Sequence, residues 1–511
     1  VQPRQQSLAP LALRAYPGSM SALPDLTRFN LAAHVLAAGH ATPDKLALAV
    51  LSLTGAERWS YARLIGAVRG AGSWMLAQGA QPGDRILLRL GNTPAYPVAY
   101  LGAIAAGLVP VATSPLLTAP EITRMSAAIR PRLVLSAPGI ALPPAPAAQV
   151  ADLALWEAQP PCDWHLGDAG REGYVVFTSG TSGTPLAVRH AHRAILARAL
   201  MHGGWEGLTV ADRLLHAGAF NWTYTMGTGL LDPWTLGATA LIPASSVQIE
   251  QLPLVLRRHD ATILATVPTV LRRLLRAGLP PLPRLRHVLS AGEPLPAALR
   301  AAWRAQTGTE VHEALGMSEI STFISSCPDH TAPDGATGYP QPGRHIAILS
   351  ETGQSLPVGE IGQLAVSTGD PGLMLSYDGH PPPSGPWFAT GDMVHQDADG
   401  AIHYHGRADE MMNPGGVRVS PREVEQALSG LPGVTDLAVA EVEPSPGIRI
   451  IACFYAGTAL PESTAQAFAA ERLARYKCPR AFRHLPEIPR GPTGKINRRA
   501  LATLFRKDLP A

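Results

Sequence analysis

Residues 178–184 read Thr-Ser-Gly-Thr-Ser-Gly-Thr, directly after the apolar run Tyr174-Val175-Val176-Phe177. Glycine tolerates positive φ, and small side chains let the backbone come close to a ligand. Thr178, Ser179, Gly180, Thr181, Ser182, Gly183 and Thr184 can therefore turn N–H groups and hydroxyls toward one anion, which is chemistry for a polyphosphate. The same composition also suits a flexible surface loop. The loop is not a Walker loop, because Gly-x-x-x-x-Gly-Lys-Ser/Thr is absent.

Four further motifs carry chemistry. In Glu313-Ala314-Leu315-Gly316-Met317-Ser318-Glu319, a carboxylate beside a glycine and a hydroxyl could hold Mg²⁺ against phosphate oxygens. A solvated Glu319 at a helix start is the alternative. In Trp387-Phe388-Ala389-Thr390-Gly391-Asp392, a short acid after a tight turn can accept both hydroxyls of a ribose; an ordinary Gly-Asp turn is the alternative. Gly406-Arg407-Ala408-Asp409 leads to Gly415-Gly416 and then Ser420-Pro421-Arg422-Glu423, where the last four residues are a helix start. The glycine pair permits close approach by a narrow ligand. Pro489-Arg490-Gly491-Pro492-Thr493-Gly494-Lys495 places a compact point charge in a loop, suited to lie between a carboxylate and a phosphate. The alternative is a solvent-exposed lysine. Lysine is scarce here, present only at Lys45, Lys477, Lys495 and Lys507, so each one invites the question why arginine did not serve.

These motifs need a frame. Strand-like runs at Arg85–Leu90, Leu108–Ala112 and Leu133–Ser136 alternate with helical patterns, and so do runs at Thr239–Ile242, Thr262–Val267 and His287–Ser290. That rhythm predicts βαβ units and mostly parallel sheets. Shorter glycine-punctuated strands, Ile346–Leu349 and Gln363–Val366, predict a small β-rich subdomain. A tail of about a hundred residues after Gly406 is the right size for a small separate domain.

The 511 residues predict several domains, and a chain 46% hydrophobic and 16% charged is globular. The net charge of +3 and the absence of basic runs argue against nucleic acid. The uncharged stretch from Tyr96 to Pro120 is broken by Pro97, Gly107, Pro110 and Pro115, which predicts a buried helix and strand and no membrane span. Cys162, Cys327, Cys453 and Cys478 are far apart without metal-ligand spacing, and no signal peptide is legible. A cytoplasmic protein is expected.

In this order and spacing, the motifs resemble the adenylate-forming superfamily of acyl-CoA synthetases, peptide-synthetase adenylation domains and luciferases, over roughly residues 30–505. Ser290-Ala291-Gly292-Glu293-Pro294 and Gly359-Glu360-Ile361-Gly362 look like further landmarks of that family. The resemblance implies an α/β fold. Residues 1–405 would form an N-terminal domain of two doubly wound subdomains plus a β-barrel-like one, and residues 406–511 a mobile α+β domain hinged at Asp409. It also implies two steps. A carboxylate attacks the α-phosphate of ATP to give acyl-AMP, and after domain rotation a thiol takes the acyl group.

ATP, Mg²⁺ and coenzyme A are thus the implied cofactors. Lys495, Glu319 and Thr181 would be the catalytic residues, with Thr181 and Glu319 on the metal. The Thr178–Thr184 loop, Ala291, Gly292, Glu293, Glu313, Leu315, Gly316, Met317, Ser318, Asp392 and Arg407 would hold the nucleotide. Gly415 and Gly416 would line the pantetheine tunnel. The implied acyl pocket draws on Trp222, Thr223, Tyr224, Met226, Thr322 and Phe323; the bulk of Trp222, Tyr224 and Phe323 suggests a short site for a flat or compact substrate, a benzoate-like or short-to-medium-chain acid. Phe220-Asn221-Trp222-Thr223 lacks the aspartate that pairs with an amino group in peptide synthetases, which disfavours an α-amino acid. The region looks most like benzoate-type ligases.

Three positions depart from the family. Leu186 stands where a phosphate-contacting lysine is usual, with Arg189 as the expected substitute. Leu315 stands where an aromatic residue often stacks on adenine, and Asn413 replaces another frequent lysine. Two alternatives follow, a ligase that loads a carrier protein and an impaired nucleotide-binding homologue. A monomer or homodimer is expected.

Overall fold

A computed structural model describes residues 24–178, 185–412, 419–445, 448–491 and 496–507. The chain divides into two compact units. The first takes residues up to 333 together with 337–345 and 367–386; the second takes 334–336, 346–366 and 387 onward.

The first unit is built on two mixed sheets. The seven-stranded sheet runs in the order Ser376–Tyr377, Leu186–Ala191, Glu172–Thr178, Val109–Ala112, Arg85–Arg89, Leu133–Ser136 and Ala148–Val150. Its strands from Arg85 to Thr178 are parallel, and Leu186–Ala191 turns back antiparallel on Glu172–Thr178. The nine-stranded sheet has a parallel centre of Glu310–Met317, His287–Ala291, Ile263–Thr266, Arg213–His216, Thr239–Pro243 and Leu46–Leu51. Antiparallel strands close both of its edges.

Every residue of Val109–Ala112, Leu133–Ser136, Ile263–Thr266 and His287–Ala291 is buried. That is why these strands read as short continuous apolar runs with no alternation. Leu241, Leu264 and Val288 meet Leu256, Leu271 and Trp303 from three helices to form one core. Those helices are Leu252–Arg258, Pro268–Ala277 and Ala297–Thr307. The uncharged Tyr96 stretch is a fully buried helix, Ala95–Ala105, followed by the strand Val109–Ala112. No helix among the described residues is long and apolar enough to cross a membrane.

The second unit holds a four-stranded sheet, in the order Ile346–Leu349, Gly362–Ser367, Trp387–Gln396 and Ile402–Arg407, where a barrel-like subdomain was expected. It also holds a three-stranded sheet of Val434–Ser445, Ile448–Gly457 and Ala481–His484. The helix Pro421–Leu428 starts as its sequence requires. Ser420 caps it by accepting from the Glu423 N–H at 3.2 Å, and proline fills the first turn. The same Ser420 hydroxyl donates to the His405 carbonyl, and Arg422 donates to the Tyr404 carbonyl at 2.9 Å. These bonds tie the helix to the strand Ile402–Arg407.

Candidate active site

In the first unit a cavity opens among Tyr100, Tyr174, His190, Arg198, Phe220, Trp222 and Met226. Ser318, Ile320 and Ser321 border it from a tight turn between strands. The Tyr174 and His190 rings lie stacked, 4.7 Å apart and 14° from parallel, and present a flat wall. His190 Nε2 donates to the Ser318 carbonyl at 2.8 Å, and burial pushes the imidazole down to about 4. That ring is therefore neutral at pH 7.

Arg198 lies on the helix Ala194–Met201, where it is buried along with Ala194, Ile195, Leu196, Ala197 and Met201. Its guanidinium forms a fork with Asp232, with Nε at 2.8 Å from Oδ1 and Nη2 on Oδ2. Nη2 also reaches Thr228 at 3.1 Å and Nη1 reaches Ser321 at 2.6 Å. Burial works against the arginine's charge, yet Asp232 holds its pKa above the usual value. Burial likewise opposes the Asp232 charge, and Arg198 overrides it to keep this carboxyl below the usual range. Glu206 is wholly buried beside them, and desolvation, then the Asp232 carboxylate, push its pKa far up. The polar end of the cavity therefore has its charges balanced internally.

The turn beside the cavity joins Glu310–Met317 to Ser321–Ser325, with Met317 opposite Ser321 and Gly316 opposite Thr322. A Cβ at Gly316 would sit 2.5 Å from the Ser321 carbonyl, so the approach requires glycine. Ser321 itself carries φ 70°, a left-handed conformation unusual outside glycine. Glu319 sits in this turn, buried, with its carboxylate accepting from the Tyr377 hydroxyl at 2.8 Å and its carbonyl from the Met374 N–H. The reading of Glu319 as a solvated residue opening a helix is thereby corrected. The turn joins two strands, and Met374 and Tyr377 cover it.

On the neighbouring strands Ser290 pairs with Glu313 and Ala291 with Ala314. This brings Ala291, Gly292 and Glu293 beside Glu313, Leu315, Gly316, Met317 and Ser318. Glu313 is buried and accepts from the Leu295 N–H at 3.0 Å; Glu293 accepts from the Thr269 hydroxyl at 3.2 Å. Among the proposed acyl residues, Trp222, Thr223 and Met226 line the cavity, whereas Tyr224, Thr322 and Phe323 do not. The Tyr224 hydroxyl is turned to the Thr266 and Leu289 carbonyls at 3.1 and 3.0 Å. Tyr100, Tyr174 and Arg198 line it without having been singled out from sequence.

Thr178 ends its strand paired with Leu186, so the two ends of the hydroxyl-rich loop are fixed side by side. Residues 179–184, including Ser179, Gly180, Thr181, Ser182, Gly183 and Thr184, lie outside the described residues. So do Asn413, Gly415, Gly416 and Lys495. Arg189 does not stand free to replace a lysine. Its Nε and Nη2 each lie 2.6 Å from Glu172 Oε2, and Arg85 and Asp378 complete the network.

In the second unit Asp392 pairs across strands with Arg407. Arg407 Nη1 donates to the Thr390 carbonyl at 2.6 Å and lies 3.4 Å from Asp392 Oδ1; its Nε is 3.3 Å from Asp409. Gly391 has φ 80°, and a Cβ there would meet the Arg407 guanidinium at 2.5 Å. The expected Gly-Asp turn is thereby corrected: both residues lie inside the strand Trp387–Gln396, and the positive φ of Gly391 is what favours glycine there. Asp409 is exposed just beyond the strand.

The family model for the AMP-binding enzyme matches residues 36–378, and that for the AMP-binding enzyme C-terminal domain matches residues 423–495. The chain belongs to the AMP-binding enzyme family. It is 29% identical over 476 residues to the 4-hydroxybenzoate–CoA/benzoate–CoA ligase of Rhodopseudomonas palustris, covering 86% of this chain and 88% of that one. It is also 29% identical to the benzoate–CoA ligase of Thauera aromatica, covering 82% and 86%. Among solved structures, it resembles the anthranilate CoA ligase AuaEII in complex with anthranoyl-AMP (TM-score 0.85, 25% identity, 95% and 99% covered). The benzoate CoA ligase of Burkholderia xenovorans is similar as well (TM-score 0.83, 28% identity, 93% and 100% covered).

Proposed function

We propose that this protein is an AMP-forming acid–CoA ligase that activates a flat aromatic carboxylic acid, of the benzoate or hydroxybenzoate kind, to acyl-AMP and passes the acyl group to coenzyme A. The observation that carries this reading is the shared wall. Ser318, Ile320 and Ser321 border an aromatic-lined cavity and flank Glu319, the carboxylate suited to a metal beside a triphosphate. An acid seated there has its ring among Tyr100, Tyr174, Phe220 and Trp222, and its carboxylate end near the turn. Arg198, 2.6 Å from Ser321 of that turn, is already neutralised by Asp232, so this end of the cavity offers hydrogen bonds without a net charge.

Glu319, a buried hard-oxygen donor, fits Mg²⁺, and Thr181 would be its partner. When bound, the metal neutralises phosphate charge. The chain's own work is positioning. His190, held neutral, fixes the turn through Ser318, and Tyr377 fixes the Glu319 carboxylate. In the second unit Asp392 and Arg407 would grip the ribose. Lys495 would bring its charge to the adenylation step, and a rotation about Asp409 between residues 1–405 and 406–511 would then present Gly415-Gly416 to pantetheine. The cysteines are free thiols, three of them buried, in keeping with a reducing cytoplasm.

The test is incubation with ATP, Mg²⁺, CoA and a panel of benzoates, aliphatic acids and dicarboxylates, read by mass spectrometry. AMP and thioester from benzoates above the other acids are expected. Acyl-AMP without thioester would move the assignment to carrier-protein loading, and turnover confined to dicarboxylates would overturn the account of the cavity.

A further inference from the structure

We infer that the strand pair Trp387–Gln396 and Ile402–Arg407 carries a binding site for a first-row divalent transition metal, with zinc as its probe, formed by His395, Asp397 and His403. The placement follows from strand geometry. Residues two apart share a face, and His395 pairs directly with His403 across the sheet. Their rings stack 4.6 Å apart and 6° from parallel. Asp397 faces both, with its carboxylate oxygens 3.2 Å from His395 Nε2 and 2.6 Å from His403 Nε2. One donor atom from each of the three residues lies within 4.8 Å of the others. Zinc bonds of 2.0–2.2 Å separate tetrahedral ligand atoms by roughly 3.3 Å, so small side-chain adjustments admit the ion. Two imidazoles and one carboxylate, half-buried with positions left for water, form a donor set for zinc, iron or nickel and not for magnesium.

A fourth residue supports the assignment. The register shifts between Met393 and Val394, so Gly406 pairs with Met393, Tyr404 pairs with Val394, and His405 is the extra residue of a bulge. The bulge brings His405 Nε2 to 2.7 Å from His395 Nδ1. A metal-bound imidazole characteristically has its other ring nitrogen held in this way, which fixes the orientation of the ligating nitrogen. Ligation through Nε2 leaves each neutral imidazole its N–H on Nδ1, and that of His395 faces His405 Nε2. This site lies on the strands of Asp392 and Arg407 but shares no residue with them.

Equilibrium dialysis of the intact chain against ZnCl₂, with bound zinc read by mass spectrometry, tests the inference. One zinc per chain is expected for the wild type. His395→Ala and His403→Ala should lose it, and His405→Ala should keep the stoichiometry with affinity lowered roughly 10-fold. Zinc should raise the Tm of the wild type and not of His403→Ala, because binding to the folded state alone stabilises it. His403→Gln serves as the second variant should the alanine form not fold. No zinc in the wild type, or equal zinc in the wild type and a folded His403 variant, would overturn the site.

Discussion

The aromatic-lined cavity of the first unit and the Trp387–Arg407 strand pair of the second use the same residue types in opposite ways. Arg198 on the cavity wall, and Asp232, Glu206 and His202 near it, are nearly or wholly buried. The Arg198 charge is met by Asp232, and Thr228 and Ser321 complete its hydrogen bonds. In the strand pair, His395, Asp397, His403 and Arg407 are half-buried, with contacts of 2.6–3.4 Å and one side open to solvent. The difference lies in solvation. A buried ion must be paired within the protein, because desolvation costs several kcal/mol per ion. A half-exposed one keeps ligand capacity in reserve. Identical side chains thus become framework in one place and binding groups in another.

The sharpest way to break this contrast is Asp232→Asn. It strands the Arg198 charge, and a stability loss of about 3–5 kcal/mol is expected in urea unfolding. A loss under about 1 kcal/mol would show that the pair is not structural. Replacing both partners with apolar residues, Arg198→Met with Asp232→Leu, should recover most of the loss.

Acid should separate buried histidines from exposed ones. The His190 pKa in the folded state is about 4 against 6.5 in its absence. The unfolded chain therefore takes up the proton first, and stability falls as pH drops through 6.5 toward 4, by up to roughly 3 kcal/mol from this residue. His190→Gln keeps a donor for the Ser318 carbonyl and should flatten the pH dependence of unfolding. An unchanged pH slope would remove His190 from the buried framework.

Glu319→Gln should lower kcat/KM for adenylate formation on the order of 10²-fold while the Tm stays close to wild type. Equal activity would detach the turn from the chemistry. The smallest effect belongs to Arg189→Ala. Its guanidinium is engaged by Glu172, so KM for ATP should hold within about twofold and stability should drop by about 1 kcal/mol. A large rise in KM would return Arg189 to the phosphate.

Much of the fold was legible in sequence. The runs at Arg85, Leu133, Thr239 and His287 became strands with ends displaced by at most one residue, because fully buried parallel strands leave continuous apolar tracts. Ser420-Pro421 announced its helix for equally local reasons. The cavity was less legible. Tyr100, Tyr174 and Arg198 come from a helix, a strand and a second helix, and only long-range packing brings them together. Arg198 in particular reads as a surface residue until Asp232 is placed beside it. The turn at Glu319 was missed because Gly316 and Ser321 approach through backbone geometry that no pattern of side chains announces. A signal for the histidine site did exist: His395-x-Asp397 and His403-x-His405 repeat a two-residue spacing on either side of a Gly-containing turn.

Two π-helical turns, His202–Glu206 and Gly227–Leu231, frame the charge cluster of the cavity. Such a turn is an α-helix carrying one residue too many. The wide turn absorbs its extra residue locally, so deleting a single residue from Gly227–Leu231 would restore the regular helix and leave Asp232 near its present phase, still facing Arg198. What such a deletion would remake is the turn itself, including Thr228, which receives an Arg198 N–H at 3.1 Å. A one-codon deletion here would trim a polar contact of the site and spare its ion pair.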